Sequence, residues 1–159
     1  YGAGRSDGRS WQTWAQEESG LDPQRTHWLG PLQTNDYHRL LRASHVHLYL
    51  TVPFVLSWSL LEAMAMGCSI VSSDTPPVQE MITNGEQGLL CDFFDPGQQA
   101  QAMNRLLDDR ALAKALGVAS QQRARRYDAE TGLRSWCQLL SSPSDPAPEP
   151  SCQPVSLDV

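Results

Sequence analysis

Short apolar stretches alternate along the chain with longer stretches in which apolar residues recur every three or four positions. The short stretches are typical of buried strands, and the longer ones are typical of amphipathic helices. The predicted strands are 26–29, 45–50, 68–71 and 89–91. The predicted helices are 10–18, 34–43, 58–66, 78–83, 97–108, 110–127 and 129–140.

Capping and breaking residues separate these elements. Ser10 and Ser57 can cap the helices that follow them, and Gly20 and Gly67 are natural helix terminators. Strands that alternate with helices predict a parallel sheet covered on both faces, which is a Rossmann-like α/β fold. In such a fold a ligand lies outside the carboxyl ends of the strands. Those ends are the loops 30–34, 51–57 and 73–77.

Length and charge limit the kind of protein this is. The 159 residues suffice for one domain, and the net charge of −6 argues against nucleic acid as a partner. No apolar run approaches the roughly 20 residues that a membrane helix needs. We predict one domain over 1–140, truncated at its N-terminus because the first residue is Tyr1 and not Met. The stretch 141–159 holds five of the eleven prolines and is predicted to be a disordered tail.

The cysteines and histidines predict no metal site. None of the four cysteines belongs to a CxxC pair, and Cys68 and Cys91 lie in apolar runs that are typical of buried strands. We interpret them as small buried hydrophobes in a reducing compartment. His45 and His47 would point the same way on a strand, as half of a metal site would. No further ligand follows at a suitable spacing, so ordinary packing is favoured.

The loop 51–57 and the helix after it form the most informative segment. The first amides of a helix lack partners within the helix, and with the helix dipole they form an anion site. A diphosphate could lie against the amides of Ser57, Trp58 and Ser59. Glu62 follows one turn later in an apolar helix, where burying its carboxylate without a partner would be costly. Periodicity leaves two interpretations open, that Glu62 binds a ribose diol or that it faces solvent.

The stretch 53–96 strongly resembles the C-terminal domain of the family 4 (group 1) glycosyltransferases. That family carries two Glu residues separated by seven positions within EGFGLSLLEAMAxGxPV, followed by DxxxxxEIxxxGxxGLLxxxxD. The positions that match are Leu60, Leu61, Glu62, Ala63, Met64, Ala65, Gly67, Asp74, Glu80, Gly85, Gly88, Leu89, Leu90 and Asp95. Upstream, 26–30 resembles the family's VxFLG strand and loop, and 37–44 resembles its LxxLLxxAD helix. The resemblance covers roughly 20–127.

This resemblance implies the nucleotide-sugar-binding, C-terminal half of a two-domain enzyme of the GT-B type. Such an enzyme moves a sugar from a nucleoside diphosphate sugar to an acceptor with retention. Glu62 would hold the ribose of the donor, and Glu80 would have a structural role. The diphosphate and part of the sugar would lie against Leu56, Ser57, Trp58 and Ser59. The base would lie against Leu29, Gly30, Pro31 and Leu32.

One departure from the family pattern affects the sugar site. The first Glu of the pair falls on Phe54, and the two following glycines fall on Val55 and Ser57. Phe54 has no carboxylate with which to hold the sugar. The sugar is then held differently, the loop is reshaped, or catalysis is weakened, and no catalytic residue is assigned. Pro53 would pre-set the loop so that amides replace the Glu.

The resemblance also implies what this stretch lacks. The acceptor domain and a basic Arg and Lys pair would precede Tyr1, so we expect the chain alone to be inactive as a transferase. The helix 129–140 would pack on that missing domain. No cofactor or metal is expected beyond the nucleotide sugar, and the expected setting is polysaccharide synthesis in the cytoplasm or at a membrane surface.

Two alternatives remain open. The whole protein could be an epimerase or hydrolase of nucleotide sugars with the same architecture, because a fold does not fix a function. It could also be a non-catalytic nucleotide-binding module, which the loss of Glu at Phe54 favours.

Overall fold

A computed structural model describes residues 8–18, 20–52 and 55–141 of the chain. The chain divides into two compact units, Tyr1–Tyr37 and His38–Val159. The predicted tail, apart from Ser141 at the end of the last helix, lies outside the described residues, as do Pro53 and Phe54.

The first unit contains a helix and an extended segment. Helix α1 spans Trp11–Glu18, and the amide of Thr13 donates to Ser10 Oγ at 3.0 Å, so the predicted cap is confirmed. The strand predicted over 26–29 is wrong, because this segment has no regular secondary structure. Trp28 and Leu29 are 44% and 52% exposed. A short apolar run becomes a strand only where a neighbouring strand and a core accept it. Helix α2, Thr34–Ala43, continues from this unit into the second.

The second unit is built on a parallel three-stranded sheet in the order β1-β2-β3. The strands are β1 His47–Tyr49, β2 Ile70–Ser73 and β3 Leu89–Cys91. The helices of this unit after α2 are α3 Trp58–Ala65, α4 Pro76–Gln79, α5 Pro96–Asp108, α6 Arg110–Ala124 and α7 Ala129–Ser141. A 3-10 turn, Arg125–Tyr127, joins α6 to α7.

Strand β2 begins later than its apolar pattern predicts. Gly67 adopts a φ of 76° and ends α3, and the amide of Cys68 still donates to Ala63 O at 3.1 Å. Cys68, the first residue of the predicted strand, therefore bonds to the end of α3 instead. The strand continues instead into Ser72 and Ser73, which are fully buried. Ser73 is satisfied there because its hydroxyl donates to Thr51 O at 2.8 Å.

Helix α4 also differs from its prediction. It begins at Pro76, two residues before the predicted start, because proline is well suited to the first turn of a helix. It ends at Gln79, so that Glu80 forms its C-cap.

The core surrounds β2, in which all four residues are buried. Neighbouring residues of a strand point to opposite faces, so complete burial means that both faces of the sheet are covered. One cluster joins the sheet to α5 and α6 and consists of Val71, Leu89, Cys91, Leu106, Ala113 and Leu116. The predicted Rossmann-like α/β class is thereby confirmed, with three strands in the described sheet.

A close approach between α6 and the end of α3 fixes the position of α3. Gly117 of α6 lies so near the carbonyl of Gly67 that a Cβ at residue 117 would collide with it. Gln121 Nε2 also donates to Ala65 O at 3.0 Å. The absence of a side chain at Gly117 therefore sets how closely α3 packs against α6.

The predicted burial of the cysteines is confirmed. Cys68 and Cys91 are buried free thiols, and burial raises the pKa of both. His47 lies in β1, whereas His45 lies before it. Across the described residues no cluster of three potential metal ligands occurs. No helix among them is long and apolar enough to cross a membrane.

Candidate functional site

The predicted anion site lies at the start of α3, which follows β1 along the chain. Ser57 is the N-cap of α3, and its Oγ accepts from the amide of Ser59 at 3.3 Å, which confirms the predicted cap. The Ser57 amide donates to the hydroxyl of Tyr49, at the end of β1, at 3.1 Å. The helix therefore begins at the carboxyl end of the sheet and is anchored to it by Tyr49.

Two of the three amides expected to bind a diphosphate already have partners. The Ser57 amide is bound by Tyr49, and the Ser59 amide is bound by the cap. Within the described residues, the amide of Trp58 donates to no acceptor. Trp58 as a whole is 83% exposed. The positive end of the α3 dipole acts at the same place.

Glu62 lies one turn into α3 and is only partly exposed. Its side chain is 41% accessible, and its Oε1 lies 3.9 Å from His38 Nε2. The carboxylate is therefore not buried, and the cost of burying it does not argue for a ligand. Glu62 nevertheless lies near the capped end of α3, with the His38 imidazole beside it.

A cavity of about 400 Å³ opens beside Glu62. Trp58, Leu61, Glu62 and Ala65 form its α3 side, because these residues share one face of the helix. The opposite side consists of Gln121, Ala124, Arg125, Tyr127 and Asp128. Its volume lies within the range of small-molecule pockets, which extends from roughly 300 to 1,000 Å³. Helical periodicity brings the α3 residues of the first wall together, whereas the second wall depends on how α6 packs.

A second cavity, of about 560 Å³, lies where the three strands end. Val52, Asp74 and Asp92 follow β1, β2 and β3 respectively and line it. The loop after β3 was missed at the sequence level, although the same rule about carboxyl ends applies to it. Several polar groups of this cavity already have internal partners. Gln79 Nε2 donates to Asp74 Oδ1 at 2.7 Å, and the amide of Leu90 donates to Asn84 Oδ1 at 3.0 Å.

Cys91 also lines this second cavity. Burial, and then the negative charges of Asp74 and Asp95, raise the pKa of its thiol. A thiol that stays protonated is a poor nucleophile. Cys91 is 2% exposed and packs in the core cluster.

The remaining predicted site residues are not all brought together. Leu29, Gly30, Pro31 and Leu32 belong to the first unit and are exposed, and Gly30 has a φ of 63°. Their place against the base of a nucleotide stays a prediction. Phe54 lies outside the described residues, so its effect on the sugar site also stays a prediction. Leu56 is half-buried directly before the cap.

Glu80 contacts its neighbours through its backbone. Its carbonyl accepts a hydrogen bond from Arg123 Nη2 of α6 at 2.9 Å. This bond ties the end of α4 to α6. A structural role of the Glu80 carboxylate stays a prediction.

The sequence profile of the family described as "Glycosyl transferases group 1" matches residues 1–109. The chain belongs to the group 1 glycosyltransferases. The matched stretch includes β1, α3, β2 and β3, so the family assignment rests on the elements that form the candidate site.

Curated relatives of this group 1 glycosyltransferase match over about half of its length. The exopolysaccharide phosphotransferase SCO2592 of Streptomyces coelicolor is 36% identical over 84 residues, which are 52% of this chain and 9% of the relative. The D-inositol 3-phosphate glycosyltransferase of Corynebacterium urealyticum is 33% identical over 82 residues, or 52% of this chain and 19% of the relative. The chain thus spans less than a fifth of the length of these two relatives.

Solved structures share the fold of this group 1 glycosyltransferase. The sucrose-phosphate synthase of Thermosynechococcus elongatus matches with a TM-score of 0.74 and 26% identity, over 86% of this chain and 35% of that chain. HepE of Anabaena, solved with UDP, matches with a TM-score of 0.61 and 23% identity, over 66% of this chain and 29% of its own. The fold is that of the GT-B glycosyltransferases, as predicted.

Proposed function

We propose that this chain is the donor-binding domain of a retaining, family 4 type glycosyltransferase, which moves a sugar from a nucleoside diphosphate sugar to an acceptor. The observation that carries the proposal is the capped start of α3 at the carboxyl end of β1, with Glu62 one turn further along. An anion site and a ribose-binding carboxylate at this spacing are what a nucleoside diphosphate requires.

The diphosphate is held at the N-terminus of α3. The Trp58 amide is available, the Ser57 and Ser59 hydroxyls lie 3.0 Å apart, and the helix dipole favours negative charge. During sugar transfer, negative charge grows on the leaving diphosphate. Fixed donors that point at this charge stabilise the transition state more than the ground state. The α3 terminus is therefore both a binding element and a catalytic one.

Glu62 binds the ribose of the nucleotide. A partly exposed carboxylate can accept hydrogen bonds from both hydroxyls of a ribose diol. His38, 3.9 Å away, contributes to holding the Glu62 side chain. The family resemblance assigns the base of the nucleotide to Leu29, Gly30, Pro31 and Leu32. The reacting sugar lies beside the loop that contains Phe54.

The acceptor site and the remaining charges for the leaving group come from other parts of the whole protein. This expectation follows from the small share of the relatives' length that the chain spans. The chain alone should therefore bind a donor nucleotide and transfer no sugar. HepE was solved with UDP and with UDP-glucose, so UDP is the first nucleotide to test.

The test compares binding of UDP, GDP and ADP to the chain and to Glu62→Gln by titration calorimetry. Loss of charge-assisted hydrogen bonds worth roughly 1.5–3 kcal/mol should weaken binding of the preferred nucleotide about 10- to 100-fold. Glu130→Gln is the matched control, because it makes the same substitution on α7, where the Glu130 side chain is 83% exposed. A ligand at ten times its dissociation constant should also stabilise the fold by about 1.4 kcal/mol in thermal unfolding.

Two results would overturn parts of this proposal. If none of the three nucleotides binds, the chain is not a donor-binding domain. If a nucleotide binds but Glu62→Gln and Glu130→Gln have the same affinity for it, the ribose assignment is wrong.

The second candidate function is a non-catalytic nucleotide-binding module, which Phe54 at the position of the family's first Glu favours. Nucleotide binding by a whole protein that never turns over a sugar nucleotide would establish it.

A further inference from the structure

A basic cavity lies at the opposite end of the sheet from the proposed donor site. It has a volume of about 410 Å³. Ser44 and His45 precede β1, and Ser69 precedes β2, so these lining residues mark the amino ends of the strands. Parallel strands place all their amino ends at one edge and all their carboxyl ends at the other. The two sites are therefore separated by the length of the strands.

Four basic side chains line this cavity, and no acidic residue does. They are Arg42, His45, Arg110 and Lys114. This concentration stands out in a chain with a net charge of −6. Arg110 and Lys114 are four residues apart on α6 and share one face, whereas Arg42 reaches the cavity from the last turn of α2.

The arginine and lysine side chains of this cavity have no carboxylate partners in the described part of the chain. The side chains of Arg42, Arg110 and Lys114 form no ion pair and no hydrogen bond with any described residue. The nearest carboxylate along the chain, that of Asp109, caps α6 by accepting from the Leu112 amide at 2.9 Å. Like charges that converge without neutralisation repel each other, so an anion that enters the cavity relieves that repulsion.

The other polar groups of the cavity are already used. The Ser69 hydroxyl donates to Ala113 O at 2.9 Å, and the Ser44 hydroxyl donates to Val46 O at 2.9 Å. The lining therefore offers a ligand mainly charged donors. Guanidinium groups match the geometry of phosphate oxygens, and an ammonium group adds a compact charge.

We propose that the cavity lined by Arg42, His45, Arg110 and Lys114 binds the phosphate groups of a small anionic molecule. The volume suits a small ligand that carries one or two phosphates. The site is independent of the proposed donor site, since it shares no residue with it. A small phosphorylated molecule bound here would stabilise the folded chain and couple α2 to α6.

The test measures binding of pyrophosphate to the full chain by titration calorimetry in the presence of saturating UDP. UDP occupies the proposed donor site, so the heat that remains reports on the basic cavity. Arg110→Gln/Lys114→Gln should weaken pyrophosphate binding by at least about tenfold, because charge-assisted hydrogen bonds are the strong ones. Arg126→Gln/Arg134→Gln removes the same two charges elsewhere and should leave the affinity unchanged.

Three results would overturn the proposal. The first is equal weakening in both double variants, which means that only the net charge matters. The second is no pyrophosphate binding by the unaltered chain. The third is sedimentation with phosphatidylglycerol vesicles, lost in Arg110→Gln/Lys114→Gln, without binding of pyrophosphate, which assigns the cations to a lipid surface. Failure of UDP to bind would affect the proposed function alone, because the comparison of the variants with pyrophosphate remains valid.

Discussion

Burial of His47 makes the stability of the fold depend on pH. It lies in the middle layer of the fold, on β1, where its amide donates to Ser69 O at 2.8 Å. Burial lowers the pKa of His47 from its ordinary value of 6.5, because the charged imidazolium loses water. The folded chain therefore holds His47 neutral at a pH at which the unfolded chain protonates it.

We predict that the free energy of unfolding falls as the pH drops below 6.5. The stability that neutral His47 contributes is complete above 6.5 and is lost as the pH falls through the folded pKa, since the unfolded state binds more protons in that window. Urea unfolding at several pH values measures the slope, and His47→Gln should flatten it. An unchanged slope in His47→Gln would assign the effect to another group.

A second group titrates in a lower window. Hydrogen bonds from the Thr131 hydroxyl and then from its amide lower the pKa of Asp128, which precedes α7. Its contribution is present above 3.8 and disappears as the pH falls through the folded pKa. The His47 window begins at 6.5 and the Asp128 window begins at 3.8, so the loss of stability that starts first as the pH falls is assigned to His47.

The residues that form the candidate site were predictable only in part. Ser57 and Glu62 follow from capping chemistry and from the family motif, and the structure places Ser57 at the N-cap of α3 and Glu62 within α3, as the sequence predicts. The bond from the Ser57 amide to Tyr49 could not be predicted. A tyrosine in an apolar strand pattern indicates burial, whereas the target of its hydroxyl depends on the tertiary packing around it.

At the scale of elements, helices with clear boundaries were predicted well. Helix α5 begins at Pro96 with Asp95 as its cap, and α6 begins after Asp109. The strand predicted over 26–29 failed because an apolar run of four residues fits a strand or an extended loop equally well. The shift of β2 had another cause, since helix termination at Gly67 and buried serines are both invisible to an apolar pattern.

The contact between α3 and α6 leads to a prediction at this scale. Gly117→Ala should destabilise the chain by about 1–3 kcal/mol, because its Cβ would meet the backbone carbonyl of Gly67 and force the helices apart. Gly132→Ala is the control, since nothing lies within 4 Å of a Cβ there and alanine favours a helix. Chemical unfolding measures both.

The same change also tests the site. Separation of α3 from α6 would widen the cavity between Glu62 and Arg125, so Gly117→Ala should weaken nucleotide binding as well. Equal stability of Gly117→Ala and Gly132→Ala would contradict the close approach of the two helices.

At the scale of the whole molecule, the sheet separates two kinds of chemistry. The carboxyl end of β1 leads into a capped helix and Glu62, and the amino ends of the strands carry the basic cavity. The position of the capped α3 site follows from the ligand rule for parallel sheets, and a sequence is enough to apply that rule. The basic cavity could not be predicted in this way, because Arg42 and Lys114 are far apart in sequence and line one cavity only through the folding of the chain.

The last helix leads to a prediction about assembly. Leu133, Trp136 and Leu140 lie on one face of α7 and are 66%, 64% and 80% exposed. Contiguous exposed apolar surface of this kind favours association. We predict that the chain self-associates as its concentration rises, and that Trp136→Glu shifts it to the monomer, as measured by sedimentation velocity. Ser135→Glu adds the same charge to the opposite face of α7 and should leave association unchanged. A chain that stays monomeric at every concentration, or equal effects of the two variants, would show that this face does not drive association.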